Sequence, residues 1–217
     1  MLKRLIGINL LIIAEIIISS IIRLRYTRVD SHLAIFHLNF GDLLPILAIS
    51  ILFFPIIEEV LYRSPISQLN WKKVILFFVA FFIYGYYTEI VITNEFSQDL
   101  YLVVWKASSY LVPLIVLILA AVWRKTKTRG VRLYSLFLIS TLGFVFQHGD
   151  LFTQNEVFGQ TEGIILPVLR FFGLFALGSA CFYISKNYGL KWAIATHAIM
   201  NFFSLVFNYF LIQILFG

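Results

Sequence analysis

The chain has 217 residues, 60% hydrophobic and 13% charged, with a formal net charge of +6 and a mean hydropathy of +0.90. Those proportions exclude an ordinary soluble domain, because several separate apolar runs each reach the roughly 20 residues that cross about 30 Å of hydrocarbon. The sequence therefore predicts an all-α fold: one polytopic membrane helix bundle with about seven transmembrane helices and no second domain.

The first predicted span is 5–22, preceded by Lys3 and Arg4 and carrying Glu15. It is long enough to span and has no small-residue cleavage site before Arg23, so it reads as an uncleaved helix rather than a signal peptide. Glu15 is expected to face the bundle, as a structural hydrogen-bonding group or a functional one. The second span is 43–62, with Pro45 near its start and Pro55 just before a pair of glutamates; Pro55 removes a backbone donor and is expected to kink the helix. The third is 74–92, containing Glu89. The fourth is 108–123, begun at Ser108 because Lys106, Ser108 and Ser109 interrupt the apolar run before it. The fifth is 133–152, the sixth 164–184 with Arg170 inside, and the seventh 191–216.

Orientation follows from the lysines and arginines of the short loops. With the N-terminus inside, the inner side collects Lys3, Arg4, Arg63, Lys72, Lys73, the basic block at 124–132, Lys186 and Lys191. The outer side collects Glu95, Asp99, Asp150, Glu156 and Glu162, and only Arg23, Arg25 and Arg28 oppose the assignment. An integral membrane protein with a cytoplasmic N-terminus is the expectation. The positive charge is then accounted for by topology and by anionic lipid headgroups of the bilayer, with no nucleic-acid partner. Cys181 is the single cysteine, so no intrachain disulfide can form.

Three polar clusters interrupt these apolar helices. Glu59 and Arg63 are four residues apart and can pair on one helix face, whereas Glu58 points about 100° away and is left available. Phe144 and His148 share a face at the same spacing, as do His197 and Asn201. A histidine and a carboxylate in a low-dielectric pocket can share a proton and turn a water between them into a nucleophile. Zinc is the one cofactor this residue set leaves open, with Glu58, His148 and His197 as ligands and water as the fourth, although no His-Glu-x-x-His helix is present. Serine chemistry at Ser179 or Ser204 lacks both a nucleophile elbow and a serine-lysine pattern. The bland reading of each cluster is helix-to-helix adhesion; the three together call for a shared cause.

In this order the motifs EEVLYR at 58–63, FVFQH at 144–148 and HAIMN at 197–201 resemble the CAAX protease and bacteriocin-processing family of intramembrane proteins (CPBP, or Abi), which includes the type II CAAX prenyl endopeptidases. The resemblance covers about 43–201. It implies a hydrolase in which Glu58 with His148 activates the attacking water and His197 with Asn201 donates to the oxyanion. Glu59, Arg63 and Phe144 would orient the first glutamate or the substrate, and the mechanism would be glutamate-based or metal-dependent. Partners would be a peptide or protein substrate, prenylated or membrane-associated, and the lipid bilayer.

Two features depart from the family pattern. Tyr62 stands where phenylalanine is usual, with Ser64-Pro65 where a glycine commonly follows the arginine. The spacing from Glu58 to His148, 148 − 58 = 90 positions, is unusually long. The third and fourth spans fill that gap, and being even in number they preserve sidedness. For His148 to meet Glu58 in depth, the fifth span is expected to enter the membrane late, near 135–138. A non-catalytic bacteriocin-immunity or peptide-binding protein using the same cavity is the alternative function, and an ion-conducting transporter marked by Glu15, Arg170 and the glutamate pair is a third, against which no inverted repeat is found.

Overall fold

The computed structural model describes residues 2–26, 45, 48–66, 70–93, 100–123, 129–148 and 162–216. The described residues form seven α-helices and no strand: α1 Leu2–Tyr26, α2 Phe54–Arg63, α3 Trp71–Thr93, α4 Leu100–Trp123, α5 Arg129–Gln147, α6 Glu162–Tyr188 and α7 Leu190–Phe216. A π-helical turn, Ile49–Phe53, leads directly into α2. The side chains of Glu15, Glu89 and Arg170 lie outside the described residues, as do residues 27–44, 46–47, 67–69, 94–99, 124–128 and 149–161.

The shortest helix is the centre of the bundle. The other helices α3, α4, α5, α6 and α7 all pack against α2, and eight of its ten residues are buried: Pro55, Ile57, Glu58, Glu59, Val60, Leu61, Tyr62 and Arg63. Its apolar side chains join one core with Ile12 of α1, Phe77 and Tyr84 of α3, Phe144 of α5, Leu177 and Ile184 of α6, and Met200 of α7. A smaller cluster of Val116, Ala120, Leu136 and Phe182 closes the α4–α5–α6 side. There α4 and α5 approach closely at Gly143, where a Cβ would lie 2.2 Å from Val112 Cγ1.

Each predicted span overlaps a helix, with three corrections, and among the described residues the second, 43–62, meets only the ten-residue α2 and the π turn before it. Helix α4 begins at Leu100 rather than 108, because Leu-Tyr-Leu-Val-Val-Trp is a sound helical run that a single lysine and two serines do not interrupt. Helix α5 ends at Gln147 rather than 152. His148 turns its ring Nδ1 onto the Phe144 carbonyl at 2.9 Å while its own N–H moves to the Val145 carbonyl. The side chain thus takes the acceptor that the next α-helical backbone bond would have used, and the helix stops. The same helix starts at Arg129, and His148 meets α2 at the point where α5 terminates. The third correction is at Pro55, where the chain widens into a π turn ahead of the proline.

The α6–α7 reversal takes one residue, Gly189, at φ +101. Its N–H caps the Ile184 and Ser185 carbonyls, and its lack of a Cβ is what allows a left-handed residue there. Among the described residues, one helical stretch, Leu190–Phe207, is long and apolar enough to cross a membrane by length and composition; Ile6–Ile18, Tyr110–Trp123 and Arg132–Gln147 are shorter apolar stretches.

Candidate active site

One turn of α2 carries both glutamates and the arginine, and its neighbours decide what each does. Arg63 is fully buried, so its donors require partners. Nη1 donates to Ser140 Oγ at 2.9 Å and to the Ser140 carbonyl at 3.3 Å, and Nη2 donates to the Gly178 carbonyl at 3.0 Å. The guanidinium also lies over the Phe144 ring, 5.3 Å from its centroid, and near Tyr62 at 5.8 Å. Ser140 Oγ in turn donates to the Tyr62 carbonyl at 3.0 Å. Arg63 therefore ties α2 to α5 and α6.

Glu59 sits at the next layer with no exposure. Its Oε2 is 3.8 Å from Arg63 Nε, an ion pair at longer than hydrogen-bond range, and its Oε1 is 3.1 Å from His197 Nδ1. A carboxylate only accepts, so Nδ1 of His197 carries the proton and donates to Glu59. The imidazole is thereby oriented with Nε2 facing the other glutamate.

Glu58 is where three helices converge. His197 Nε2 of α7 lies 3.5 Å from Oε2, and His148 Nε2, at the end of α5, lies 3.9 Å from Oε1. Gln147 Nε2 reaches the same Oε1 at 3.5 Å. Phe144 holds the two imidazoles apart, edge-on to His148 at 4.8 Å and to His197 at 5.4 Å. The His148 side chain is 26% exposed against 8% for Glu58 and 1% for His197, so the cluster opens at His148.

The structure thus brings Glu58, Glu59, Arg63, Phe144, His148 and His197 into one cluster, and Asn201 stands apart from the carboxylates. Its amide donates to the Ser50 carbonyl at 2.8 Å. Sequence reasoning assigned no role to Gln147, Ser140, Gly178 or Ser50. Gln147 is adjacent to His148 and ends the same helix, a signal that could have been used; the other three partners act through a hydroxyl or main-chain carbonyls, which leave no trace in residue type. Ser179 Oγ is buried without a hydrogen bond.

The predicted zinc trio is not gathered around one carboxylate oxygen. Tetrahedral ligands at about 2.0–2.1 Å from the metal lie about 3.3 Å from one another, whereas here the two imidazoles stand on different oxygens of Glu58, at 3.5 and 3.9 Å. Among the described residues, only Glu59, Cys181 and His197 bring three ligand atoms mutually within 4.8 Å. In that group the carboxylate is already shared between Arg63 and His197, and the buried guanidinium opposes a second cation. Comparison of the chain with protein-family models, with curated proteins and with solved structures finds no match.

Proposed function

We propose that the protein is an intramembrane endopeptidase of the kind its three motifs resemble, a seven-span bundle with a cytoplasmic N-terminus that hydrolyses a peptide bond in a membrane-associated peptide or protein segment. The observation that carries this reading is the convergence of His148 and His197, from two other helices, on the buried carboxylate of Glu58. For the membrane reading, the support is that every helix but α2 has 19 to 27 residues, about 28–40 Å at 1.5 Å per residue. Their outward faces are apolar, with Leu10, Phe82, Ile118 and Phe172 among the exposed side chains.

The chemistry follows from donors and acceptors. His148 donates through Nδ1 to the Phe144 carbonyl, so in the neutral ring Nε2 is an acceptor facing the acceptor Oε1 of Glu58 at 3.9 Å. Two acceptors at that separation can share one water lying about 2.8 Å from each. Glu58 and His148 then draw a proton from that water as its oxygen attacks the scissile carbonyl, and His148 returns the proton to the leaving amine. His197 has one proton committed to Glu59; a second on Nε2 gives it a donor beside Glu58. An N–H at that position suits the oxyanion of the tetrahedral intermediate.

A second reading, a non-catalytic immunity or peptide-binding protein, draws on Asn201, whose amide is turned to Ser50 and not to the glutamates. One experiment separates the two. Purified protein in lipid is incubated with membrane-associated peptides in ¹⁸O-water, alongside Glu58→Gln, His148→Ala and His197→Ala. The hydrolytic reading expects ¹⁸O in the new carboxyl group, with rates about 10²–10⁴-fold lower for the first two variants and about 10²–10³-fold lower for the third. Cellular protection or peptide binding that survives all three substitutions, with no ¹⁸O incorporation by wild type, establishes the binding protein instead.

A further inference from the structure

The π turn before Pro55 leaves one backbone carbonyl without a helical partner. Phe54 N–H donates to the Ile49 carbonyl, five residues back, and residue 55, the next in the pattern, is a proline with no N–H. Neither the fourth nor the fifth residue after Ser50 therefore supplies its carbonyl with a donor. An unpaired carbonyl in an apolar surround is costly, and the Asn201 amide fills the position at 2.8 Å. Asn201 lies one helical turn beyond His197 on α7. The same helix thus grips the α2 segment twice, below Pro55 through Ser50 and above it through Glu58 and Glu59.

We infer that Asn201 is a positioning residue, whose amide replaces the donor that Pro55 lacks and so sets the height of Glu58 against His197. This differs from the oxyanion role that the family resemblance implies for it. The inference rests on the hydrolytic reading for its effect on rate, and on the Ser50 contact for the clamp.

The test is a double-substitution cycle with Pro55→Ala, which restores an N–H at position 55 and gives the Ser50 carbonyl a donor from its own chain. Two readouts are taken in lipid: amide exchange over 49–57, which needs no substrate, and kcat and KM for a cleaved peptide. In the wild-type background Asn201→Ala raises exchange over 49–57 about tenfold, the scale of one hydrogen bond. It also lowers kcat by about 10- to 100-fold, as a displaced catalytic group does, with KM little changed. In the Pro55→Ala background the same substitution changes both by less than about threefold, the range of independent sites. Asn201→Leu, of similar size and with no donor, is expected to behave as Asn201→Ala, which covers the case in which the smaller side chain unsettles α7. Equal losses of kcat in both backgrounds would mean that Asn201 donates to the substrate and would overturn the inference. Exchange over 49–57 that ignores both Asn201 variants would overturn it as well. A wild-type protein that cleaves nothing sinks the hydrolytic reading only, because the exchange cycle still decides the clamp.

Discussion

Glu58 and Glu59 are neighbours in sequence and opposites in setting. Glu59 has no exposure, a guanidinium on one oxygen and an imidazole N–H on the other. Glu58 has every polar neighbour at 3.5 Å or beyond and an opening beside it at His148. The difference arises from the 100° turn between adjacent helical residues: one carboxylate points to where α5 and α6 deliver Arg63's partners, the other to where the ends of α5 and the middle of α7 meet. A buried carboxylate held between a guanidinium and an imidazole N–H holds a structure together, and one that is loosely surrounded retains capacity for a water or a substrate.

The widest separation between the two regions is expected from Arg63→Met. It leaves the Glu59 carboxylate buried opposite an apolar chain and strips Ser140 and Gly178 of their donor; loss of one partner of a buried pair costs about 3–5 kcal/mol. Thermal unfolding in lipid or detergent should show it, and a melting temperature near wild type would mean that Arg63 is not the tie between α2, α5 and α6. Gly178→Ala comes next. Its Cβ would meet Phe144 Cδ1 at 3.1 Å and Arg63 Nη2 and Thr141 Cγ2 at 3.2 Å each, and overpacking of this kind costs about 1–3 kcal/mol. If the Gly178 variant instead melts with wild type, α6 has room to retreat and the Arg63 socket is looser than these distances say.

Much of this arrangement is legible in residue order. Apolar runs located the long helices, the second run shrank to the ten-residue α2 and its π turn, and the four-residue spacing put Glu59 with Arg63. The same spacing put Phe144 with His148, which the structure shows in ring contact and joined through the Phe144 carbonyl. What was not legible depends on main-chain geometry. Helix α4 extends eight residues ahead of the predicted fourth span, because one lysine and two serines do not break a helix. No pattern announces that His148 will end α5 by capping its own helix, or that Pro55 will be preceded by a π turn. Asn201 shares a face with His197, as its spacing required, yet its partner is the carbonyl of Ser50, an acceptor every residue carries. The sockets for Arg63 are of the same kind, a serine and a glycine carbonyl on helices 77 and 115 positions away.

The most direct measurement compares Glu58→Gln with Glu59→Gln in one lipid preparation, reading unfolding midpoint and peptide cleavage for each. Glu58→Gln should lose less stability than Glu59→Gln, because its polar neighbours stand at 3.5 Å or beyond, while losing cleavage by about 10²–10⁴-fold. Glu59→Gln should fall in stability by about 3–5 kcal/mol, since it leaves Arg63 uncompensated. A Glu58→Gln protein that unfolds as readily as Glu59→Gln, or one that cleaves at the wild-type rate, would contradict the division of roles between the two glutamates.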